Sequence, residues 1–200
     1  ITLTNNAGDM TVGTLTADND RITLNSAGGV IDGNVGAANV NADALVANTA
    51  AGVATAGDAL ETAINSIEAN GGIGGVFVHN SQPLTVGGVS AMVGVSAAGG
   101  DIVITAVGPF GVEEAVTSTT GNVDLTARAM PASTLDSIFI NAPITTTNGG
   151  NVNLLADDDV FQNDTIAVAG EATVEVTATN GGITMVLGSA TTAATGAIQY

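Results

Sequence analysis

The sequence predicts an all-β chain wound as a parallel β-helix, an irregular solenoid of many short strands. A β-sandwich is the alternative architecture. Three observations carry the prediction. A short alternating motif recurs along the chain, glycine-rich turns punctuate it, and its apolar content is almost free of aromatic rings. Alternation at period two marks a strand with one buried face.

The motif appears as Gly8-Asp9-Met10-Thr11-Val12, as Asp20-Arg21-Ile22-Thr23-Leu24-Asn25 and as Gly100-Asp101-Ile102-Val103-Ile104-Thr105-Ala106. It returns as Gly121-Asn122-Val123-Asp124-Leu125-Thr126-Ala127, as Gly150-Asn151-Val152-Asn153-Leu154-Leu155-Ala156 and, shortened, as Gly182-Ile183-Thr184-Met185. Its form is glycine, a small polar residue, a β-branched residue, any residue, an aliphatic, any residue, alanine. The leading glycine is expected to supply a turn with positive φ. Further strands are predicted at 76–78, 84–86, 138–140, 166–168 and 173–177, separated by Asn-Gly-Gly or Gly-Gly turns. The spacing of the copies varies, from 21 residues between Gly100 and Gly121 to 29 between Gly121 and Gly150. That suits a solenoid with variable corners rather than a propeller.

Composition agrees. Of 200 residues, 45% are hydrophobic but only 2% aromatic, so small aliphatics must fill a narrow bore. At ~20–25 residues per coil the chain makes about eight to ten coils, ~40–50 Å of axial stack. It reads as a single solenoid segment over 1–200, cut from a longer repetitive chain.

One stretch resists. In residues 42–69, Leu60, Ala63, Ile64 and Ile67 fall at helical spacing, with Asp58 as N-cap and Glu61 three residues on. A short helix over 58–69 competes there with a corner followed by a strand.

Nineteen acids face two bases, for a net charge of −17. That excludes a basic nucleic-acid footprint and opposes binding to anionic lipid. No apolar run reaches the ~18–20 residues of a membrane-spanning helix. With no cysteine there are no disulfides or thiolate metal sites. The lysine-free, Thr/Asn/Gly-rich composition points to an extracellular protein.

The string LETAINSIEANGGIGGVFVHNSQPLTVGGV, residues 60–89, resembles the repeats of filamentous-haemagglutinin-like surface proteins. An aliphatic strand ends in Asn (Val76-Phe77-Val78-His79-Asn80) and is followed by Leu84-Thr85-Val86-Gly87. The strands at 121–127 and 150–156 share the cadence. The resemblance implies a right-handed parallel β-helix at a bacterial cell surface, serving as adhesin shaft or filament. It implies no catalytic residues.

Candidate sites are few. Asp157, Asp158 and Asp159, with Asp164, form a weak candidate Ca²⁺ site, calcium being the one cofactor the sequence suggests. No known calcium loop frames them, and they read equally as a solvated corner after the Val152–Leu154 run. Catalytic and cofactor-binding sets are absent: one His, no Lys and two distant Arg give little for a polysaccharide-active β-helix enzyme, the minor alternative. His79 reads as a surface residue at a strand end, and Glu113-Glu114 as a loop. Phe110 and Tyr200 are the best exposed aromatics for an adhesin that binds a glycan or host receptor. The expected partners are flanking repeats or head-to-tail copies of the chain.

Overall fold

The computed structural model describes residues 1–34, 36–130 and 135–200. Its first strands are β1 (Thr2–Asn5), β2 (Met10–Val12), β3 (Leu15–Ser26), β4 (Gly29–Asp32), β5 (Val40–Thr49), β6 (Gly52–Val53), β7 (Leu60–Ala63) and β8 (Ser66–Asn70). Next come β9 (Val76–Asn80), β10 (Leu84–Val86), β11 (Val95–Ala97), β12 (Ile102–Val107), β13 (Phe110–Val112), β14 (Val116–Ser118), β15 (Val123–Arg128) and β16 (Ile138–Ile140). The last are β17 (Ile144–Thr146), β18 (Val152–Ala156), β19 (Val160–Gln162), β20 (Ile166–Val168), β21 (Val174–Ala178), β22 (Ile183–Met185), β23 (Thr191–Ala193) and β24 (Ile198–Gln199).

The chain is a parallel β-solenoid of about eight turns. From β9 onward each coil has three strands, and each strand pairs in parallel with the third strand after it. One face runs β9–β12–β15–β18–β21–β24, the second β10–β13–β16–β19–β22, the third β11–β14–β17–β20–β23. The coil step varies widely. Leu60 pairs with Val78 only 18 residues on, whereas Val123 pairs with Val152, 29 residues on.

Stacking in register makes each inward position a ladder. Val76, Ile102, Val123, Val152 and Val174 form one, and Val78, Ile104, Leu125, Leu154 and Val176 the next. Nearly all of these side chains are fully buried. Each contributes about 1.5–3 kcal/mol by leaving water. The third inward position narrows toward the corner and holds Ala106, Ala127 and Ala156. This is why the motif ends in alanine.

The small polar residue of the motif also has a vertical role. Asp101 Oδ1 accepts from Asn122 N (2.7 Å), Asn122 Oδ1 from Asn151 N (2.9 Å), and Asn151 Oδ1 from Thr173 N (2.8 Å). Each side chain thus binds the backbone of the next coil, satisfying corner N–H groups outside the sheet ladders. The leading glycine serves differently from the expectation. Gly100, Gly121 and Gly150 do not have positive φ. A Cβ there would sit 2.0–2.3 Å from a carbonyl oxygen of the preceding coil's glycine. Close axial approach demands them.

There is no helix at 58–69. Leu60, Thr62 and Ile64 alternate inward, and after the exposed Asn65 the phase shifts so that Ile67 and Ala69 point in. A strand, a corner and a second strand reproduce helical spacing. Asp58 caps nothing helical: it closes a tight loop, exchanging backbone bonds with Thr55. The Ala-rich start of the stretch belongs to β5, which pairs along β3 and β8.

Two insertions reshape the coil without breaking the inner ladders. β6 and β7 together lie where β9 alone lies one coil on, with 54–59 outside. β8 pairs with β10 through Ser66 and Ile67, and with β11 through Ala69 and Asn70. The intervening 87–94 segment therefore loops out at Glu68. The fully buried Glu68 accepts from Val89 N (2.7 Å), Ser90 N (2.9 Å) and Ser90 Oγ. Glu114 accepts from Gly88 N (3.1 Å) and Gly94 N (2.7 Å), and Arg21 Nη1 donates to Val89 O (3.1 Å).

Buried carboxamides tie the coils together. Asn80, fully buried, accepts from Thr62 Oγ1 (2.8 Å) and Ile64 N (3.0 Å) and donates to Ile64 O (2.9 Å) and Gln82 O (2.7 Å). Asn80→Ala would orphan several buried backbone groups at once. We expect urea unfolding to show a loss of at least about 3 kcal/mol, against about 1 kcal/mol for Thr62→Val, which removes a single bond.

Candidate ligand-binding face

The second face carries an outward ladder of Thr85, Gly111, Phe139, Phe161 and Thr184. Phe139 and Phe161 stack, with ring centroids 5.1 Å apart and planes 7° from parallel. The coil rise sets this geometry: two outward rings at equivalent positions of consecutive coils must lie face to face at about the strand spacing. Beside them runs a polar ladder. Asn163 Nδ2 donates to Asn141 Oδ1 (2.6 Å), and Asn141 Nδ2 donates to Glu113 Oε1 (2.6 Å).

Beneath Phe139, Gly111 leaves a notch. It opens into a cleft of ≈ 400–500 Å³ scale: the measured volume is ≈ 500 Å³, lined by Asn65, Pro83, Thr85, Gly111, Glu113 and Phe139 among others. The arrangement couples an aromatic platform to carboxamide and carboxylate edges. Chemically it can stack a ring and exchange hydrogen bonds around its rim.

The aromatics named from sequence are placed otherwise. Phe110 is fully buried, between Leu84 and Ile138 in an inward ladder, because its position in β13 points to the bore. Tyr200 is 56% exposed, with its hydroxyl on Thr191 Oγ1. The sequence reading missed the Phe139–Phe161 pair. Its signal is visible on aligning Ile138-Phe139-Ile140-Asn141 with Val160-Phe161-Gln162-Asn163, which superposes Phe on Phe and Asn on Asn.

The aspartates lie at the corner after β18, each engaged with neighbouring coils. Asn180 Nδ2 donates to Asp157 Oδ1 (3.3 Å), Asp136 N to Asp158 Oδ2 (2.9 Å), and Gly182 N to Asp159 Oδ1 (2.7 Å). Asp164 Oδ1 accepts from Thr165 N (2.6 Å). Asp158 is bound by the preceding coil, Asp157 and Asp159 by the following one. Among the described residues no group of three or more His, Cys, Asp or Glu is placed to hold a metal ion. His79 is exposed, in register between Glu61 and Thr105. Glu113 and Glu114 form the corner between β13 and β14, one in the polar ladder, the other gripping the 87–94 loop.

A different carboxyl pair stands out electrostatically. Asp32 is buried, and its Oδ1 accepts from Asn34 N (2.8 Å) and Asn39 Nδ2 (2.5 Å). Asn39 also binds Glu61, accepting from its N (3.0 Å). Asp32 Oδ2 and Glu61 Oε2 are both buried without another partner among the described residues. Burial, the hydrogen bond with Asp32 and the Asp32 and Asp58 charges push the Glu61 carboxyl above its ordinary range. Burial would raise Asp32 too, but the bonds from Asn34, Asn39 and Glu61 outweigh it and hold it low. A proton on Glu61, donated to Asp32 Oδ2, satisfies both orphaned oxygens.

Compared with protein-family models, curated proteins and solved structures, the chain matches none of them.

The acid pair makes stability depend on pH. The raised Glu61 contributes stability that is complete below the ordinary glutamate range and lost as pH rises through its folded value. The lowered Asp32 contributes stability present above its ordinary range and lost as pH falls through its folded value. Glu61→Gln keeps a donor for Asp32 and removes the like charge. Thermal melts should place this variant a few degrees above wild type at about pH 7, with the advantage vanishing near pH 4. An unchanged difference across that range would reject the shared proton.

Proposed function

We propose that this chain is a structural shaft or fibre-forming segment of a large extracellular surface protein, in keeping with its resemblance to filamentous-haemagglutinin-like repeats. The observation that carries the reading is axial continuity. Inner ladders run coil on coil while corners and insertions vary outside them. Such stacking gives length and stiffness from nearest-neighbour contacts alone. In this reading the chain is not an enzyme, and its partners are flanking repeats or head-to-tail copies. The last coil leaves Leu187, Ile198 and Tyr200 exposed, surface that another rung would cover.

A second reading, an adhesin whose side binds a receptor or glycan, is favoured by the Phe139–Phe161 platform and its polar rim.

Electron microscopy and fibre diffraction of the purified chain, with and without a chelator, test the first reading. Thin rods or fibres with an axial reflection at ~4.8 Å are expected, persisting in chelator. Compact particles without axial order would overturn it. Rods that dissolve in chelator would return Asp157, Asp158 and Asp159 to metal ligation.

A further inference from the structure

Gly111 is a glycine that the backbone does not ask for. The corner glycines are crowded by backbone atoms, and many turn glycines have positive φ. Gly111 has neither property. A Cβ there would meet Glu113 Oε1 at 3.5 Å and Thr85 side-chain atoms at 3.6 and 3.9 Å, ordinary van der Waals contacts. It sits in mid-strand, where glycine costs roughly 0.5–1 kcal/mol relative to alanine. What the glycine provides is space.

That space has a defined shape. In the outward ladder Phe139 lies one coil step to one side of Gly111 and Thr85 one step to the other. The gap between them spans two steps, ~9.6 Å. One face of Phe139 is covered by Phe161. Its other face looks toward the gap, where a third ring in the stack would lie. The cleft of ≈ 500 Å³ falls in the ordinary range for ligand sites.

The rim is polar and held in place. Asn65 Nδ2 donates to Asp43 Oδ1 (2.8 Å), and Asn65 Oδ1 accepts from Gln82 Nε2 (3.1 Å). On the other side Asn141 is fixed between Glu113 and Asn163. Each amide has a second hydrogen and each oxygen a second lone pair for a ligand. Held by their neighbours, these groups lose little freedom on binding.

A ring with one apolar face and hydroxyls along its edge matches both parts of the site. A hydrocarbon ring would use the platform and waste the rim. A net charge of −17, with Glu113 at the notch itself, opposes an anionic ligand. We propose that the Gly111 notch is a subsite for one neutral pyranose unit of a glycan, stacked on Phe139 and bonded at its edge by Asn65, Glu113 and Asn141. The proposal rests on the receptor-binding reading and is independent of the shaft.

Saturation-transfer NMR on the 200-residue chain tests it. The probes are the methyl pyranosides of glucose, galactose, mannose and N-acetylglucosamine, with methyl sialoside as anionic control and toluene as a ring without hydroxyls. Transfer to at least one neutral glycoside is expected, with none to the sialoside. It should fall about tenfold in Phe139→Ala and in Gly111→Val. The valine fills the notch without a backbone clash, so it separates binding from folding. No transfer to any neutral glycoside, transfer undiminished in Gly111→Val, or transfer to toluene alone would overturn the proposal, the last in favour of an aromatic side chain from a protein partner. Fibre diffraction of the same samples reports on the shaft separately.

Discussion

Parallel pairing in register at a fixed coil rise governs this molecule. Each residue lies about 4.8 Å from its equivalent in the next coil, so its main neighbour is its own counterpart. Like residues then reinforce one another along an axis. Valine packs on valine and isoleucine in the bore, Asn bonds the coil above it, and Phe139 meets Phe161 face to face. An inward charge meets the same rule with opposite sign. This is why the buried acids Glu68 and Asp32 are found where an insertion or a corner supplies N–H donors.

The inner ladders were legible because the bore imposes a strict period. β-branched, aliphatic and alanine positions follow from its taper, and the motif at 100–106, 121–127 and 150–156 records them directly. The stretch at 58–69 misled because periodicity was read without the ladder. Leu60, Ile64 and Ile67 have helical spacing only because a corner at Asn65 shifts the strand phase. Pairing of Ser66–Asn70 with β5 decided between the two, and that partner lies 22 residues away. Local propensity had no access to it.

The outward face was harder to read, since no packing rule fixes it. Phe110 and Phe139 both sit in three-residue strands after a turn, yet one is first in its strand and the other second. That single step sends Phe110 into the bore and Phe139 to the surface. The register of β13 against β16 settles the matter, and it depends on a 28-residue coil that includes one of the largest corners in the chain. The acid pair of Asp32 and Glu61 was invisible for the same reason. Its members are 29 positions apart and are joined by Asn39, whose role depends on the corner geometry.

This division between bore and surface bears on where recognition can reside. An inward substitution disturbs two neighbouring coils and the ladder beyond them. An outward one disturbs only its flanking rungs, and whole segments such as 54–59 and 87–94 can leave the coil while pairing resumes on either side. Outward positions are therefore free to carry side chains chosen for something other than folding. At most of them Thr, Asn or Asp does what a solvated strand requires. Gly111 does the reverse: it weakens its strand, answers no steric demand and uncovers an aromatic face. In a fold where every other feature of that rung has a structural cause, a cavity without one is best explained by what fits into it.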